Sequence, residues 1–397
     1  MARTATFVAL VALLAGVASA KDTPGVTATE IKIGQTMPYS GPASAYGVIG
    51  KGEAAYFKMI NESGGINGRK INLISVDDGY SPPKTVEQAR KLVESEGVAF
   101  MFQTLGTAPN TAIQKYLQQK QVPQLFVATG ADKFGDPKGN PWTMGWQPSY
   151  RIESRIYGRY VLKEKPDAKI CVLYQNDDFG KDYLIGLKEA LGDKYATMVV
   201  KEASYEVTDP TIDSQVVSLQ GSGCTALITA ATPKFAAQTI RKVFDIGWKP
   251  LHFMSNVSIS VAAVLQPAGV DKSVGIITGI YLKDPNDPAF KDDPGMNEWR
   301  AFMKKYMPDA DTNDANYVYA YGVATTLVQV LKQCGNDLSR ENIMKQAANL
   351  QGLKLSVAIP GTEIRTSPSD YRPFSQMQLA RFNGKSFERF GPVLSGD

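Results

Sequence analysis

The chain has 397 residues, of which 43% are hydrophobic and 21% charged, with a formal net charge of +4. That balance is ordinary for a globular protein, and the length leaves room for two domains of about 100–200 residues each. The charge is small and forms no basic block, which argues against nucleic acid as a partner.

The first twenty residues read as a leader. Arg3, an apolar run from Phe7 to Val17 and the triplet Ala18-Ser19-Ala20 match the n-region, h-region and A-x-A site of a secretory signal peptide cleaved after Ala20. The apolar run is well short of the ~20 residues a membrane span needs. Lys21 rather than Cys follows the site, which argues against a lipid anchor. The mature chain is therefore expected to be exported and soluble.

Beyond the leader, strand-like runs alternate with helical ones. The strands are 31–36, 71–78, 98–105 and 123–129, and the helices between them are 48–61, 85–96 and 111–121. In 85–96, Val86, Ala89, Leu92 and Val93 recur at helical spacing, after Pro82 and Pro83. The strands are apolar on both faces, as in a parallel sheet covered by helices. The loop MPYSGPASAYG (37–47) exceeds the usual two to six residues and carries Tyr46, and such loops on a rigid scaffold tend to hold binding groups.

A second series starts near Pro148. It reads helix 150–165, strand 169–175, helix 182–192, strand 195–204, helix 211–220, strand 225–231, helix 234–244 and strand 251–256. Two successive series argue for an α/β protein with two doubly wound lobes. The last third reads as three helices (297–307, 315–335 with Gly335 as its cap, and 339–351), then a hairpin turning at Asn383-Gly384.

The chemistry of catalysis is missing. There is one histidine, His252, in an apolar strand pattern, so a His-based metal site and an H-E-x-x-H motif are excluded and a structural role is expected. Neither C-x-x-C, G-x-S-x-G nor a phosphate-binding P-loop occurs. GGINGRK (64–70) precedes a strand, opposite to a dinucleotide fingerprint. Asp77 and Asp78 are adjacent at a strand end and would point in opposite directions, as in a turn rather than a catalytic pair. Of three cysteines, Cys171 and Cys224 are either small buried residues or, if their strands are neighbours, a disulfide. An exported two-lobed chain without catalytic groups suggests binding; an unusual exported hydrolase is the rival, and a sensor ectodomain is disfavoured by the lack of a span.

SGPASAYG, INESGGINGRKINLISVDDGYSP, QARKLV, PQLFVATGA, YQNDDFGKDYLIGLKEAL, IRKVFDIGWKP, ANYVYAYGVATTLVQVL and the tail from Ile359 carry a resemblance. Together, and in this order, they resemble the type I periplasmic solute-binding proteins of ABC importers, in the branched-chain amino-acid-binding (Leu/Ile/Val-binding) group, over nearly the whole mature chain. The resemblance implies two Rossmann-like lobes joined by a three-crossing hinge and closing on one ligand. The crossings would fall near 145–150, 277–281 and 356–364. The first lobe would comprise 28–146 plus 281–357, and the second 148–277 plus 364–397. It also implies a monomer without cofactors that delivers its ligand to the membrane subunits of an importer.

The resemblance carries binding roles to particular loops. Tyr46 would lay its ring over the ligand. The loops holding Leu105, Gly106 and Thr107, and Ala128, Thr129 and Gly130, would bind a ligand carboxylate through backbone N–H groups and hydroxyls. Tyr150, Phe179, Thr232 and Asn256 head the facing loops, and Tyr281 adds a further ring. Amino-acid-binding members place an acidic residue where this chain has Val257, and a buried ammonium without an ion partner is costly. The expected ligand is thus a small organic acid, an aromatic carboxylate. The alternative is a branched-chain or other amino acid whose ammonium Asp177 or Asp178 would hold.

Overall fold

The computed structural model describes residues 23–396, so the predicted leader lies outside the described residues. Five short strands, β1 (Glu30–Met37), β2 (Lys70–Asp77), β3 (Phe100–Phe102), β4 (Gln124–Val127) and β5 (Thr143–Gly145), form one parallel sheet in the order β2-β1-β3-β4-β5. Every residue of β3 and β4 is buried, as expected where helices cover both faces of a parallel sheet.

The second sheet contains β6 (Ile170–Gln175), β7 (Val199–Tyr205), β8 (Ala226–Ala230), β9 (Leu251–Met254) and β10 (Ile277–Ile280), all parallel. A small pair, β11 (Gln351–Leu353) and β12 (Ile364–Arg365), precedes the last hairpin, β13 (Gln376–Phe382) and β14 (Phe387–Ser395). That hairpin joins the second sheet antiparallel to β10, giving the order β14-β13-β10-β9-β8-β6-β7.

The intervening helices each bury one stripe. Helix Gly47–Glu62 buries Ile49, Tyr56 and Phe57, and the late helices Pro294–Tyr306 and Asn316–Cys334 pack on it. Arg340, on the helix Arg340–Ala347, donates to the carbonyls of Val98 (3.1 Å) and Ala99 (2.8 Å), tying that helix to the first sheet as well. The chain thus passes between the sheets three times. The second and third passages lie side by side: Lys283 N donates to Val357 O (2.9 Å) and Ile359 N to Tyr281 O (3.0 Å).

Cys171 in β6 and Cys224 just before β8 form a disulfide between neighbouring strands, and Cys334 is buried and free. No described helix is long and apolar enough to cross a membrane.

Some boundaries differ from the sequence reading. The helix expected at 111–121 already starts at Thr107, because Pro109 falls in the first turn, where no backbone N–H is required. In the strand expected at 195–204, Tyr195–Met198 is a helical turn and pairing begins at Val199. The helix at 85–96 runs from Pro82 to Arg90 and continues as a wider turn over Lys91–Ser95. The last hairpin has a four-residue loop rather than a two-residue turn, since Asn383 Oδ1 accepts from Lys385 N (2.8 Å) and Ser386 N (3.0 Å).

Candidate functional site

A cavity of about 1000 Å³, its open mouth included, lies between the two sheets at the carboxyl ends of their strands. Open α/β sheets bind ligands at this place. The loop after β1 delivers Tyr46 through a short 3-10 turn, Ser44–Tyr46, that leads into helix Gly47–Glu62. Its ring lines the cavity, and its hydroxyl donates to the Val257 carbonyl (3.0 Å) on the opposite wall.

After β3, Leu105, Gly106 and Thr107 line the cavity, with Ala128 after β4 beside them. Several of their backbone donors are already used: Leu105 N bonds Thr36 O, Gly106 N bonds Ala128 O, and Ala128 N bonds Thr104 O. The N–H groups of Thr107 and Ala108 make no backbone bond and open the helix Thr107–Gln119, where an anion is favoured. Gly106 sits at φ +100°, and a Cβ there would lie 2.4 Å from the Tyr80 ring. Only glycine both adopts that conformation readily and leaves room for the ring.

Two residues of the predicted set are not at this cavity. Thr129 is buried behind its wall, where its hydroxyl meets that of Thr107 (2.6 Å) and accepts from Ala131 N (3.1 Å). Either hydroxyl can donate in this bond, and where Thr129 donates, the Thr107 proton is free to face the cavity. Gly130 lies beside it, where a Cβ would stand 2.4 Å from the Pro148 carbonyl and 3.0 Å from the Tyr150 ring. Its smallness makes room for Tyr150.

The other wall carries Tyr150, Phe179, Thr232, Asn256 and Tyr281, all lining the cavity. The rings of Tyr150 and Phe179 lie 4.5 Å apart, and Tyr281 packs beside Trp146 (6.1 Å). Phe179 is positioned by the cap of helix Asp178–Leu191, where Asp177 Oδ1 accepts from Phe179 N (3.0 Å) and Gly180 N (3.4 Å).

Tyr80, Gln147 and Tyr319 also line the cavity and were missed by the sequence reading. Tyr80 follows β2 at φ +59° and its hydroxyl accepts from Gln175 Nε2 (3.4 Å) on the facing wall. Its signal in the sequence is the VDDGY turn, which holds a tyrosine beside the two carboxylates. Those carboxylates are turn elements: Asp77 binds Ser40 and Lys84, and Asp78 binds Tyr80 N and Thr85. The phenols of Tyr46, Tyr80, Tyr281 and Tyr319 are pushed well above the usual range by burial and stay protonated donors.

Charged groups are scarce at the ring-lined centre. Asp177 is turned to its helix cap and to Gln175 (2.8 Å), and Asp178 pairs with Lys133 (2.7 Å); neither lines the cavity. Asp284 lines the hinge side, with its oxygens accepting from Asn286 N (2.9 Å) and Phe387 N (3.2 Å). Lys283 beside it is paired with Asp293 (2.7 Å). His252 is buried away from the cavity, bonded to Thr229 (2.9 Å), and burial pushes it down to about 4.

A family model described as periplasmic binding protein matches residues 30–386. The chain is 26% identical over 321 residues to the Leu/Ile/Val-binding protein homolog 1 of Brucella abortus (strain 2308), covering 79% of this chain and 81% of that protein. It superposes on a branched chain amino acid ABC transporter from Thermus thermophilus with bound valine, with TM-score 0.82 and 17% identity over 92% of this chain and 97% of that one. It also superposes on a fatty acid ABC transporter substrate-binding protein from Thermomonospora curvata, with TM-score 0.77 and 22% identity over 94% and 95%. Two largely parallel sheets, a thrice-crossed hinge and a cavity between the lobes are the type I architecture, and the chain belongs to the periplasmic binding protein family.

Proposed function

We propose that the protein is the exported receptor of an ABC importer and binds a small organic acid, an aromatic carboxylate, by closing its two lobes on it. It acts as a receptor rather than a catalyst, and its partners are the importer's membrane subunits. The observation that carries the ligand class is a cavity ringed by Tyr46, Tyr80, Tyr150, Phe179, Tyr281 and Tyr319, whose one carboxylate among the described lining residues, Asp284, is already hydrogen-bonded to Asn286 and Phe387. Aromatic rings pair with rings in offset or edge-to-face geometry, and an ammonium there would lack its ion partner. The carboxylate would meet the N–H group and hydroxyl of Thr107, at the start of helix Thr107–Gln119.

A second reading is an amino-acid receptor, favoured by the names of the Brucella relative and of the valine-bound neighbour. Calorimetry with 3-phenylpropionate and phenylalanine separates the two, because these compounds differ by the α-ammonium alone. Tighter binding of 3-phenylpropionate is expected. Tighter binding of phenylalanine or leucine would establish the amino-acid reading in its place.

A further inference from the structure

The side chain of Asn256 is held by a group that lies outside the cavity. Glu153, on helix Tyr150–Glu164, is fully buried behind it. Glu153 Oε1 accepts from the Asn256 backbone N–H (2.8 Å), and Oε2 accepts from Asn256 Nδ2. The hydroxyls of Tyr157 and Tyr183 bond the same two oxygens. An ionised carboxylate only accepts, so the amide edge turned toward it is the NH2 edge. An asparagine amide has two orientations of nearly equal shape; here its surroundings choose one.

The consequence is on the cavity side. Asn256 Oδ1 makes no hydrogen bond to any described residue, and Asn256 lines the cavity. The nearby Val257 carbonyl is taken by Tyr46. The uncharged acceptor these bonds leave open on Asn256 is its Oδ1. An ammonium, with three protons and a full charge, asks for more than one acceptor. The charge of Glu153 is already shared among two tyrosine hydroxyls and two N–H groups of Asn256. A hydroxyl brings a single proton and matches the single acceptor.

We infer that Asn256 is a specificity-determining residue and Glu153 its positioning residue, together selecting acids that carry a hydroxyl, or another neutral donor, on the body of the molecule. This rests on the aromatic-acid reading above and narrows it. An unmet acceptor penalises a ligand that lacks the donor, which is why sites built to bond a hydroxyl reject its absence more strongly than pockets reject a methylene.

The test compares the full chain with its Asn256→Leu and Glu153→Gln variants by calorimetry, using 3-phenylpropionate, its three ring-hydroxylated isomers and the corresponding methoxy compounds. At roughly pH 8 the carboxyl of Glu153 is ionised. In the parent protein, at least one hydroxylated isomer should bind about tenfold more tightly than 3-phenylpropionate, and its methoxy counterpart should not. Asn256→Leu should bring that ratio close to one. Glu153→Gln offers the asparagine an amide that accepts either orientation, so the ratio should fall and the methoxy compound gain. If Glu153→Gln does not fold, the Asn256→Leu ratio decides alone. No hydroxyl preference in the parent protein, or one that persists in Asn256→Leu, overturns the inference and leaves the aromatic-acid reading standing. Failure of all these acids to bind overturns both.

Discussion

The Tyr46 hydroxyl donates to the Val257 carbonyl over 3.0 Å, and the two residues belong to opposite walls of the cavity. This bond exists only while the walls are close. Tyr46→Phe keeps the ring and removes the bond. A net hydrogen bond contributes about 1 kcal/mol, so affinity should fall by roughly fivefold. The loss should appear in the dissociation rate, measured by stopped-flow displacement, since the bond stabilises the closed state. An unchanged dissociation rate would mean that Tyr46 contributes its ring alone.

Lobe closure itself is measurable. Besides Tyr46, Ser260 bonds Asp314 (2.8 Å) and Lys133 pairs with Asp178 (2.7 Å) across the two halves. Rotation about a three-strand hinge would break such bonds and open the cavity. Small-angle scattering should show a smaller radius of gyration at ligand saturation than without ligand. Equal values would contradict closure on the ligand.

Thr107 and Thr129 divide one task. Thr107 lines the cavity, whereas Thr129 lies behind the wall, its hydroxyl bonded to that of Thr107, to Ala131 N and to the Tyr150 side chain. Thr107→Val removes a donor to a charged oxygen, worth about 1.5–3 kcal/mol, and should weaken binding by roughly ten- to a hundredfold. Thr129→Val acts through the orientation of Thr107 and Tyr150 and should cost less. If Thr129→Val proves the more damaging, the anion sits on the far side of that wall.

Much of this was legible in the sequence, and the limits have physical causes. The alternation of apolar strands with amphipathic helices predicts both sheets, because parallel strands and their covering helices each leave a periodic trace. β5, β10 and the pair β11 and β12 carry no strand signal of their own, since two to four residues show little period without a longer apolar run such as the one around β3. The resemblance, in agreement with the rule that ligands meet the loops after parallel strands, points to Tyr46, Thr107 and Asn256, and all three line the cavity. Tyr80 was hidden by its own unusual backbone: a tyrosine at positive φ turns its ring where neither strand nor helix periodicity would put it. Tyr319 lies on helix Asn316–Cys334, whose stripe is buried nearly throughout, so sequence cannot tell a core ring from a wall ring there. Thr129 shows the converse limit: its hydroxyl stands in the expected loop but behind the cavity wall, bonded to that of Thr107.

Asp178 distinguishes the two ligand readings. Its pair with Lys133 is partly exposed, with side-chain accessibilities of 29% for Lys133 and 47% for Asp178, and such pairs contribute about 0–1 kcal/mol. Asp178→Asn should therefore change the affinity for an aromatic acid by less than about fivefold, with the change shrinking at high salt. A hundredfold loss, seen in calorimetry with leucine or phenylalanine, would mean that this carboxylate turns inward to hold an ammonium.

Glu153 predicts a pH dependence with a definite sign. Burial raises its carboxyl from 4.5 to about 7, an effect partly offset by hydrogen bonds from Tyr157, Tyr183 and Asn256. Between those two values the folded chain holds a proton that the unfolded chain has lost. The stability this contributes is fully present below about pH 4.5 and is lost as the pH rises through about 7. Glu153→Gln cannot titrate and should lack that component of the slope. Other buried carboxyls, such as Glu53 and Asp177, are common to both proteins and cancel in the difference. Urea unfolding at a series of pH values should show the parent losing stability relative to the variant across this window, by an amount on the order of a few kcal/mol. Parallel profiles would show that Glu153 titrates alike in the folded and unfolded chain. Such a result would contradict its burial as the dominant influence on the site behind Asn256.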